Sequence, residues 1–363
     1  MRILSIAGLV LIALCAGGIV RAEDAENENL VIEYKTEAKQ SADQGKSGER
    51  TIIVSADRLA KADLEIPLSS SVVNGSQIRE RIYTGMVDLL ESIPGFSRVY
   101  DYHSPIILRG ASGSKMLILR DGNPVFSTFP GGFMGQSINV YDVGRVEVIR
   151  GPGSVIYGSG ATSGIVNIID RDVFDEEGVG VEGGVSYGTN SNSRMGIGSV
   201  HAGNKTIAMR ATGRYRKSDN YEYGGGVEAI NSFHEDRDLS LRAGYNAGDH
   251  HRITVGASAH YGGPWGKAYG FNQKEQMFAQ NEEDDLLHFA GKYEGDRVGV
   301  FDKLLVSCFY DRETREYHNM KMNSTLSRLY FEDVTDYKSI SFGGNVLAAV
   351  RAGVNYFSVG ADG

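Results

Sequence analysis

A few groupings in this sequence carry residue types that do chemistry elsewhere, and their spacing decides what is possible here. The first is Arg145 to Ile169, RVEVIRGPGSVIYGSGATSGIVNII, with glycine at 151, 153, 158, 160 and 164. Val148-Ile149-Arg150-Gly151-Pro152-Gly153 loosely matches a strand entering a dinucleotide-binding turn. Such a turn needs a helix to open directly after its glycines, so that phosphate oxygens meet helical N–H groups. Ile165 to Ile169 reads instead as a second strand. A phosphate-cradling loop needs Gly-Lys-Ser/Thr, and Gly158-Ser159 follows Tyr157 with no lysine nearby. The second grouping is Glu282-Glu283-Asp284-Asp285, four carboxylates whose oxygens suit a hard cation. A solvated charge run has the same pattern, and no metal site is assigned to it. No nucleophile, base and oxyanion-donor set stands at recognisable spacing, and no metal-ligand cluster does. The chain reads as a non-enzyme without a resident cofactor.

The elements around these residues explain the glycines. Val146 to Ile149 and Ile165 to Ile169 form a hairpin whose intervening glycines permit positive φ and close approach of another surface. Such a hairpin is suited to enclosure by something larger. Around it, residues 58 to 172 read as a compact mixed domain. Ser71-Val72-Val73 is a short strand. Ser76 caps a helix from Gln77 to about Tyr83, and a second helix runs from Met86 to Ile93 and stops at Pro94-Gly95. Strands follow at Pro105 to Leu108 and Met116 to Arg120. The stretch from Asn123 to Asn139, with Pro124, Pro130 and Gly131-Gly132, is a long loop of the kind that carries function.

From about Val179 the texture changes to strand-length segments of period two. Ile253, Val255, Ala257, Ala259 and Tyr261 fall on one face; Thr254, Gly256, Ser258 and His260 fall on the other. Leu239, Leu241, Ala243 and Tyr245 alternate with Ser240, Arg242, Gly244 and Asn246. Ile207 and Met209 alternate with Arg210, Thr212, Arg214 and Arg216. A soluble sandwich alternates too, with its apolar face inward. A membrane barrel turns that face to lipid. Gly203-Asn204-Lys205 and Gly248-Asp249-His250 read as tight turns, while Glu222 to Glu235 and Gly262 to Asp284 read as long loops. Short turns on one side and long loops on the other is the outer-membrane pattern. Nineteen tyrosines, 47 glycines and only 7 prolines fit a long-stranded antiparallel protein with aromatic girdles.

The address agrees. Arg2, the apolar run Ile3 to Val20 and the small-x-small site Val20-Arg21-Ala22 read as an export signal over residues 1–22. Residues 23–50 are polar and charged, interrupted by Leu30-Val31-Ile32, and read as a flexible periplasmic tail. Past the signal only Cys308 remains, so no internal disulfide forms. With 37 basic against 46 acidic residues, a net charge of −9, nucleic acid is excluded as a partner.

With these residues laid out, the chain resembles a TonB-dependent outer-membrane receptor. Thr51-Ile52-Ile53-Val54-Ser55-Ala56-Asp57-Arg58 resembles the energy-coupling box running into the plug. Val87 to Phe96, VDLLESIPGF, resembles the helix that ends at "PGV". Ile106-Ile107-Leu108-Arg109-Gly110 with Met116 to Val125, MLILRDGNPV, resembles the "IRG … VLVLIDGVPV" pair. Arg145 to Ile169 resembles "RVEVVRGPxSxLYGxxAxGGVINII". The resemblance implies an α+β plug domain at 51–172, then, at 173–363, the N-terminal portion of a transmembrane antiparallel β-barrel. It implies active import of a scarce ligand and periplasmic coupling to TonB by strand addition, in which main-chain hydrogen bonds supply affinity. Thr51, Ile52, Ile53, Val54, Ser55 and Ala56 are one candidate for the coupling box; Leu30 to Tyr34 is the other. Arg109, Glu147 and Arg150 stand at the family's charged plug positions and are expected to dock against the barrel. Arg98, Tyr100, Tyr102, His103, Phe126, Phe129 and Phe133 lie on the loops expected at the outer mouth, flat apolar surface with a few polar handles. A ferric siderophore is the ligand expected from the family, with cobalamin or haem as alternatives. His103, His234 and His318 are the histidines near loops that a haem receptor would need, and no family haem motif accompanies them.

The length bears on this reading. Residues from 173 onward suffice for about nine strands, well short of the 22 of plugged outer-membrane transporters. A fragment or truncated product is expected, unable to close a barrel alone, since unpaired strand edges in lipid are prohibitively costly. A plain porin has no need of residues 58 to 172. A secreted soluble β protein that binds ligands through its loops would place Ile253, Val255 and Ala257 in a core.

Overall fold

The computed structural model describes residues 19–24, 29–35, 52–53, 61–62, 69–81, 83–98, 105–111, 115–125, 135, 137–151, 160–268, 275–323, 329–352 and 355–362. The small domain is built on a five-stranded sheet of β1 (Ser69–Asn74), β2 (Met116–Arg120), β3 (Asn123–Pro124), β4 (Val143–Arg150) and β5 (Gly164–Asp170), in the order β1-β4-β5-β2-β3. The glycine-rich stretch is the expected hairpin: β4 pairs antiparallel with β5, Val148 opposite Val166. Gly164 has to be glycine, because a Cβ there would sit 2.6 Å from the Ile149 carbonyl oxygen. Both faces of the hairpin are covered. Val146, Val148, Val166 and Ile168 pack with Ile78, Met86, Leu89 and Leu90, while Ile149 and Ile165 pack with Leu119 and Ala161 on the other side.

The helices are shorter than expected. The first, α1 (Gly75–Glu80), starts one residue before Ser76 and is capped by Asn74, whose N–H donates to Gln77 Oε1 at 3.0 Å. Asn-x-x-Gln supplies a reciprocal capping box. A cap at Ser76 would begin the helix two residues later and leave out Gly75, which lies against Gly144, where a Cβ would be 2.6 Å from the carbonyl oxygen. The second, α2 (Met86–Glu91), ends before Pro94, as the clash of a proline ring with the preceding residue requires.

Nine long strands follow: β6 (Gly178–Gly188), β7 (Ser193–Gly203), β8 (Ile207–Ser218), β9 (His234–Asn246), β10 (His251–Ala268), β11 (Glu275–Val298), β12 (Phe301–Asn323), β13 (Leu329–Ala352) and β14 (Asn355–Asp362). Each pairs antiparallel with the next, in an eleven-stranded sheet completed by Ile19–Asp24 and Asn29–Lys35. Within the stretch read as a flexible tail, Asn29–Lys35 is thus a strand paired with β6. The segment 222–235 is mostly loop, as expected, whereas 262–284 is largely strand. A small hairpin of Glu222–Tyr223 with Val227–Glu228 occupies the first, and β10 and β11 run through most of the second. At 24 residues, β11 and β13 extend roughly 80 Å, far beyond an apolar band of about 25 Å. Strands this long outrun the stretch over which the sequence alternates, so the period-two signal fades although the ladder continues.

Burial along these strands is inverted relative to a soluble protein. Leu241 is 55% exposed and Val255 52%, while His260 is 2% exposed and Arg210, Arg214, Arg216, Asp236 and Asp238 are all buried. The polar face lies against the small domain and the apolar face points away from it.

Candidate functional site

Alternation on β8 and β9 sets one row of cations opposite a row of anions on the inner face. The register pairs Arg214 with Asp238 and Arg216 with Asp236. Arg214 donates from Nε to Asp238 at 2.6 Å and from Nη2 to Asp236 at 3.1 Å, and Arg216 donates from Nε to Asp236 at 2.9 Å. His260 on β10 meets Asp238 at 2.9 Å. Each guanidinium then reaches the small domain, where Arg214 Nη1 (3.3 Å) and Arg216 Nη1 donate to the Thr84 carbonyl. Thr84 opens the turn into α2, and its N–H and hydroxyl both donate to Asp88.

A second contact closes around the end of β5. Arg242 of β9 reaches Asp121 at 3.0 Å and also pairs with Asp170. Arg120 holds the same Asp170 at 2.9 Å and donates to Ser258 of β10 at 3.2 Å. A third contact fixes the segment between the two domains. Arg171 pairs with Glu182 of β6 at 2.8 Å and with Glu176; Arg210 of β8 pairs with Glu176 at 2.6 Å. Arg252 pairs with Asp172 at 2.7 Å and lies 4.9 Å over the Phe174 ring. That ring fits because position 244 is glycine: a Cβ there would be 2.4 Å from Phe174 Cε2.

Together these contacts form a charge-assisted seam between the small domain and the wall, buried at Arg214, Arg216, Asp236 and Asp170 and more open towards Arg252 and Asp172. Pairs of this kind bind strongly when satisfied, yet are poor stabilisers compared with apolar packing, and losing one partner is costly. The seam therefore holds the small domain in one register without gluing it by hydrophobic contact.

Asp142 is the exception within the seam. It is buried facing the hydroxyls of Ser240 and Thr212, and burial raises its carboxyl above the usual range, against the smaller opposite pull of those hydroxyls. An acid raised on docking favours the neutral form. The docked state is thus strongest below the ordinary carboxylate value and weakens as pH climbs from that value through the raised one. Asp142→Asn keeps the shape and removes this cost. Its thermal unfolding midpoint in detergent is expected to equal or exceed the parent's at neutral pH, with a flatter pH dependence above the acid range. A clear fall at neutral pH would mean that the anion itself is needed.

The residues singled out from the sequence are distributed differently. Arg150 donates to Ser71 Oγ and to the Pro94 carbonyl, both at 2.8 Å, and fully buried Glu147 accepts from Arg145 at 2.8 Å. These contacts are internal to the small domain. Arg109 is exposed with φ +50°. Arg98 pairs with Asp88 at 3.0 Å and Glu91 at 3.1 Å, bracing α2. Ile52–Ile53 pairs with Lys61–Ala62. Thr51, Val54, Ser55, Ala56, Tyr100, Tyr102, His103, Phe126, Phe129 and Phe133 lie outside the described residues. His318 lies between Glu316 (2.9 Å) and Glu332 (3.0 Å).

Beside the docking proposed for Arg109, Glu147 and Arg150, contacts between the small domain and the wall are carried by Arg214, Arg216, Arg242, Asp170 and Asp121. A signal for them existed in the sequence. Several arginines on one face of one strand need counter-charges on the next, and Asp236 and Asp238 stand on that strand in the same parity. Asp236, Asp238 and His260 also have ligand atoms within 4.8 Å of one another, the spacing of a metal site. Both carboxylates already hold guanidiniums, so a divalent cation would enter a site whose negative charge is spent.

Comparison with known proteins agrees with this architecture. Residues 62–165 match the model of the TonB-dependent Receptor Plug Domain. The chain is 27% identical over 323 residues to the iron-regulated outer membrane virulence protein of Vibrio cholerae serotype O1, covering 81% of this chain and 47% of that protein. It is 26% identical over 193 residues to the vitamin B12 transporter BtuB of Vibrio vulnificus, covering 52% of this chain and 31% of that protein. The solved structure of the copper transporter OprC superposes with a TM-score of 0.68 at 20% identity, over 82% of this chain and 45% of that one. The chain therefore spans less than half the length of these relatives.

Proposed function

We propose that this chain, which comprises the plug domain and opening barrel strands of a TonB-dependent receptor, serves the energy-coupled import of a scarce ligand, a ferric siderophore, across the bacterial outer membrane. The observation that carries the reading is the charged seam. A stopper meant to stay put would be packed with apolar residues; one held by paired charges in a hydrated lumen can be released by a pull. The force would come from TonB, adding a strand at Thr51 to Ala56 or at Leu30 to Tyr34. The exposed apolar face of β8 to β10 suits the lipid of the outer membrane, to which residues 1–22 would direct export.

The iron-regulated relative spans more of the chain than the vitamin B12 transporter does, and this favours iron. Deleting the gene is expected to abolish growth on a ferric siderophore as sole iron source and to leave cobalamin-dependent growth intact. The reverse pattern would move the ligand to the vitamin. Unchanged growth on ferric siderophores, haem and cobalamin alike would sink the import reading for these ligands.

A further inference from the structure

The outward face of the wall carries a charge that its neighbours leave unmatched. Register sets Phe289, Tyr310 and Phe342 side by side on β11, β12 and β13, and sets Leu287, Arg312 and Ile340 in the next row, further from the short turn between β11 and β12. Arg312 points outward with its row, since Asp311 and Glu313 on either side of it face inward, to His288 and Arg315. Lys338 lies one row further on, opposite Thr314 and diagonal to Arg312. Both cations are exposed, and neither side chain makes an ion pair or hydrogen bond with a described residue. The carboxylates of the adjoining outward positions are Asp285, opposite Thr314, and Glu283, Glu316 and Asp336 in the row beyond Lys338. Glu316 is already engaged by His318 at 2.9 Å. Arg237 of β9 is matched in place by contrast, donating to Glu235 at 3.0 Å and lying 5.7 Å over the Tyr215 ring.

We infer that Arg312 and Lys338 form a binding site for the phosphate headgroup of an acidic lipid in the outer leaflet, with its acyl chains lying across Phe289, Tyr310 and Phe342. The inference rests on the membrane placement contained in the import reading. An arginine between Leu287 and Ile340 is costly at the margin of lipid unless a counter-charge meets it. No side chain of this face supplies one, so the counter-charge has to come from outside the chain. Diagonal neighbours across a ladder stand about 7–8 Å apart, within the joint reach of two long side chains. A phosphate monoester offers oxygens to the guanidinium fork and to the ammonium together. Two observations favour an anion carried on acyl chains over a free one. The aromatic row begins directly below Arg312, with Phe342 77% exposed. Above Lys338, Glu283, Glu316 and Asp336 repel an anion that stands further out. The short turns lie on the periplasmic side in the outer-membrane pattern, so this margin belongs to the opposite leaflet.

The test is lipid retention by the full chain in neutral detergent micelles, read by native mass spectrometry. The probes are dioleoyl phosphatidic acid and dioleoyl phosphatidylcholine in equal amounts. The parent is expected to retain one phosphatidic acid about tenfold or more over phosphatidylcholine, the effect of two surface cations on an acidic lipid. Arg312→Gln with Lys338→Gln is expected to erase this preference. Arg312→Lys with Lys338→Arg keeps both charges and is expected to keep most of it. Arg237→Gln, on the same face, is expected to behave as the parent. Equal retention of the two lipids by the parent would overturn the site. An undiminished preference in the double glutamine variant, or an equal loss in Arg237→Gln, would overturn the assignment to this pair. Displacement of phosphatidic acid by excess inorganic phosphate would show an anion site indifferent to acyl chains and overturn the lipid. No uptake step enters this measurement, so loss of the import reading in growth assays and loss of the lipid site are separate outcomes.

Discussion

Replacing Arg242 by methionine is expected to weaken docking of the plug by about 3–5 kcal/mol, the usual cost of removing one partner from a buried ionic group. Arg242 is the cation common to Asp121 and Asp170. Methionine fills much the same volume and leaves Asp170 with Arg120 alone and Asp121 without its nearest cation. The pH dependence supplies an independent sign. Burial by itself would raise the Asp121 carboxyl; the charge of Arg242, helped by Lys292 and Arg120, overrides burial and holds it below the ordinary value. In the parent, this group stabilises docking above the ordinary carboxylate range, and that contribution is lost as pH falls through the lowered value. In Arg242→Met burial prevails, so docking should strengthen as pH falls from the raised value to the ordinary one, where the parent is flat, and should no longer weaken below the ordinary value as the parent does. Urea titration of detergent-solubilised protein at two pH values, followed by protease access to the plug, checks both magnitude and sign. Adding Asp121→Asn to Arg242→Met should recover part of the loss. Failure of both the loss and the reversal would mean that the seam does not hold the plug.

Much of this arrangement is legible in the sequence because it depends on local pattern. The Arg145–Ile169 hairpin announces itself by glycines between two apolar runs. The wall strands announce themselves by period two, because one face of each is turned to the small domain and the other away from it. The ends of the long strands are not legible, since the period-two pattern stops before the ladder of β11 to β13 does. The seam was half legible. The arginines of β8 and the aspartates of β9 are visible as same-face charges, but which carboxylate meets which guanidinium depends on register. Arg150 illustrates the harder part. Its position on β4 marks it as a special charge, yet its direction is set by the turn at Pro94 and by Ser71 on β1, neither of which its own neighbourhood reveals. Asn123 is harder still. It is a polar residue in a two-residue strand, and the hydrogen bonds it accepts come from Ser307 and Asn345, more than 180 positions away.

Leu241→Arg separates the two environments that an exposed leucine can have. Leu241 is 55% exposed and lies opposite Ala257, midway along the run from Ile253 to Tyr261. If that face meets water, arginine is harmless, because substitutions at such surface positions change stability by about 0.5 kcal/mol or less. If it meets the bilayer midplane, arginine costs about 2–4 kcal/mol. The next residue along the chain is itself an arginine, half-buried against Asp121 and Asp170, so neither helical nor strand propensity nor charge as such distinguishes the two sites. Only the direction of the side chain does. Folding titrations in lipid vesicles are expected to show the larger cost. The protein is also expected to remain in the membrane pellet after carbonate extraction, where a soluble sandwich would leave it. A stability change near zero together with release into the aqueous fraction would put the apolar face of β8 to β10 in water. The plug would then have no lipid-embedded wall to be docked against, and the seam would be the interior of a soluble domain.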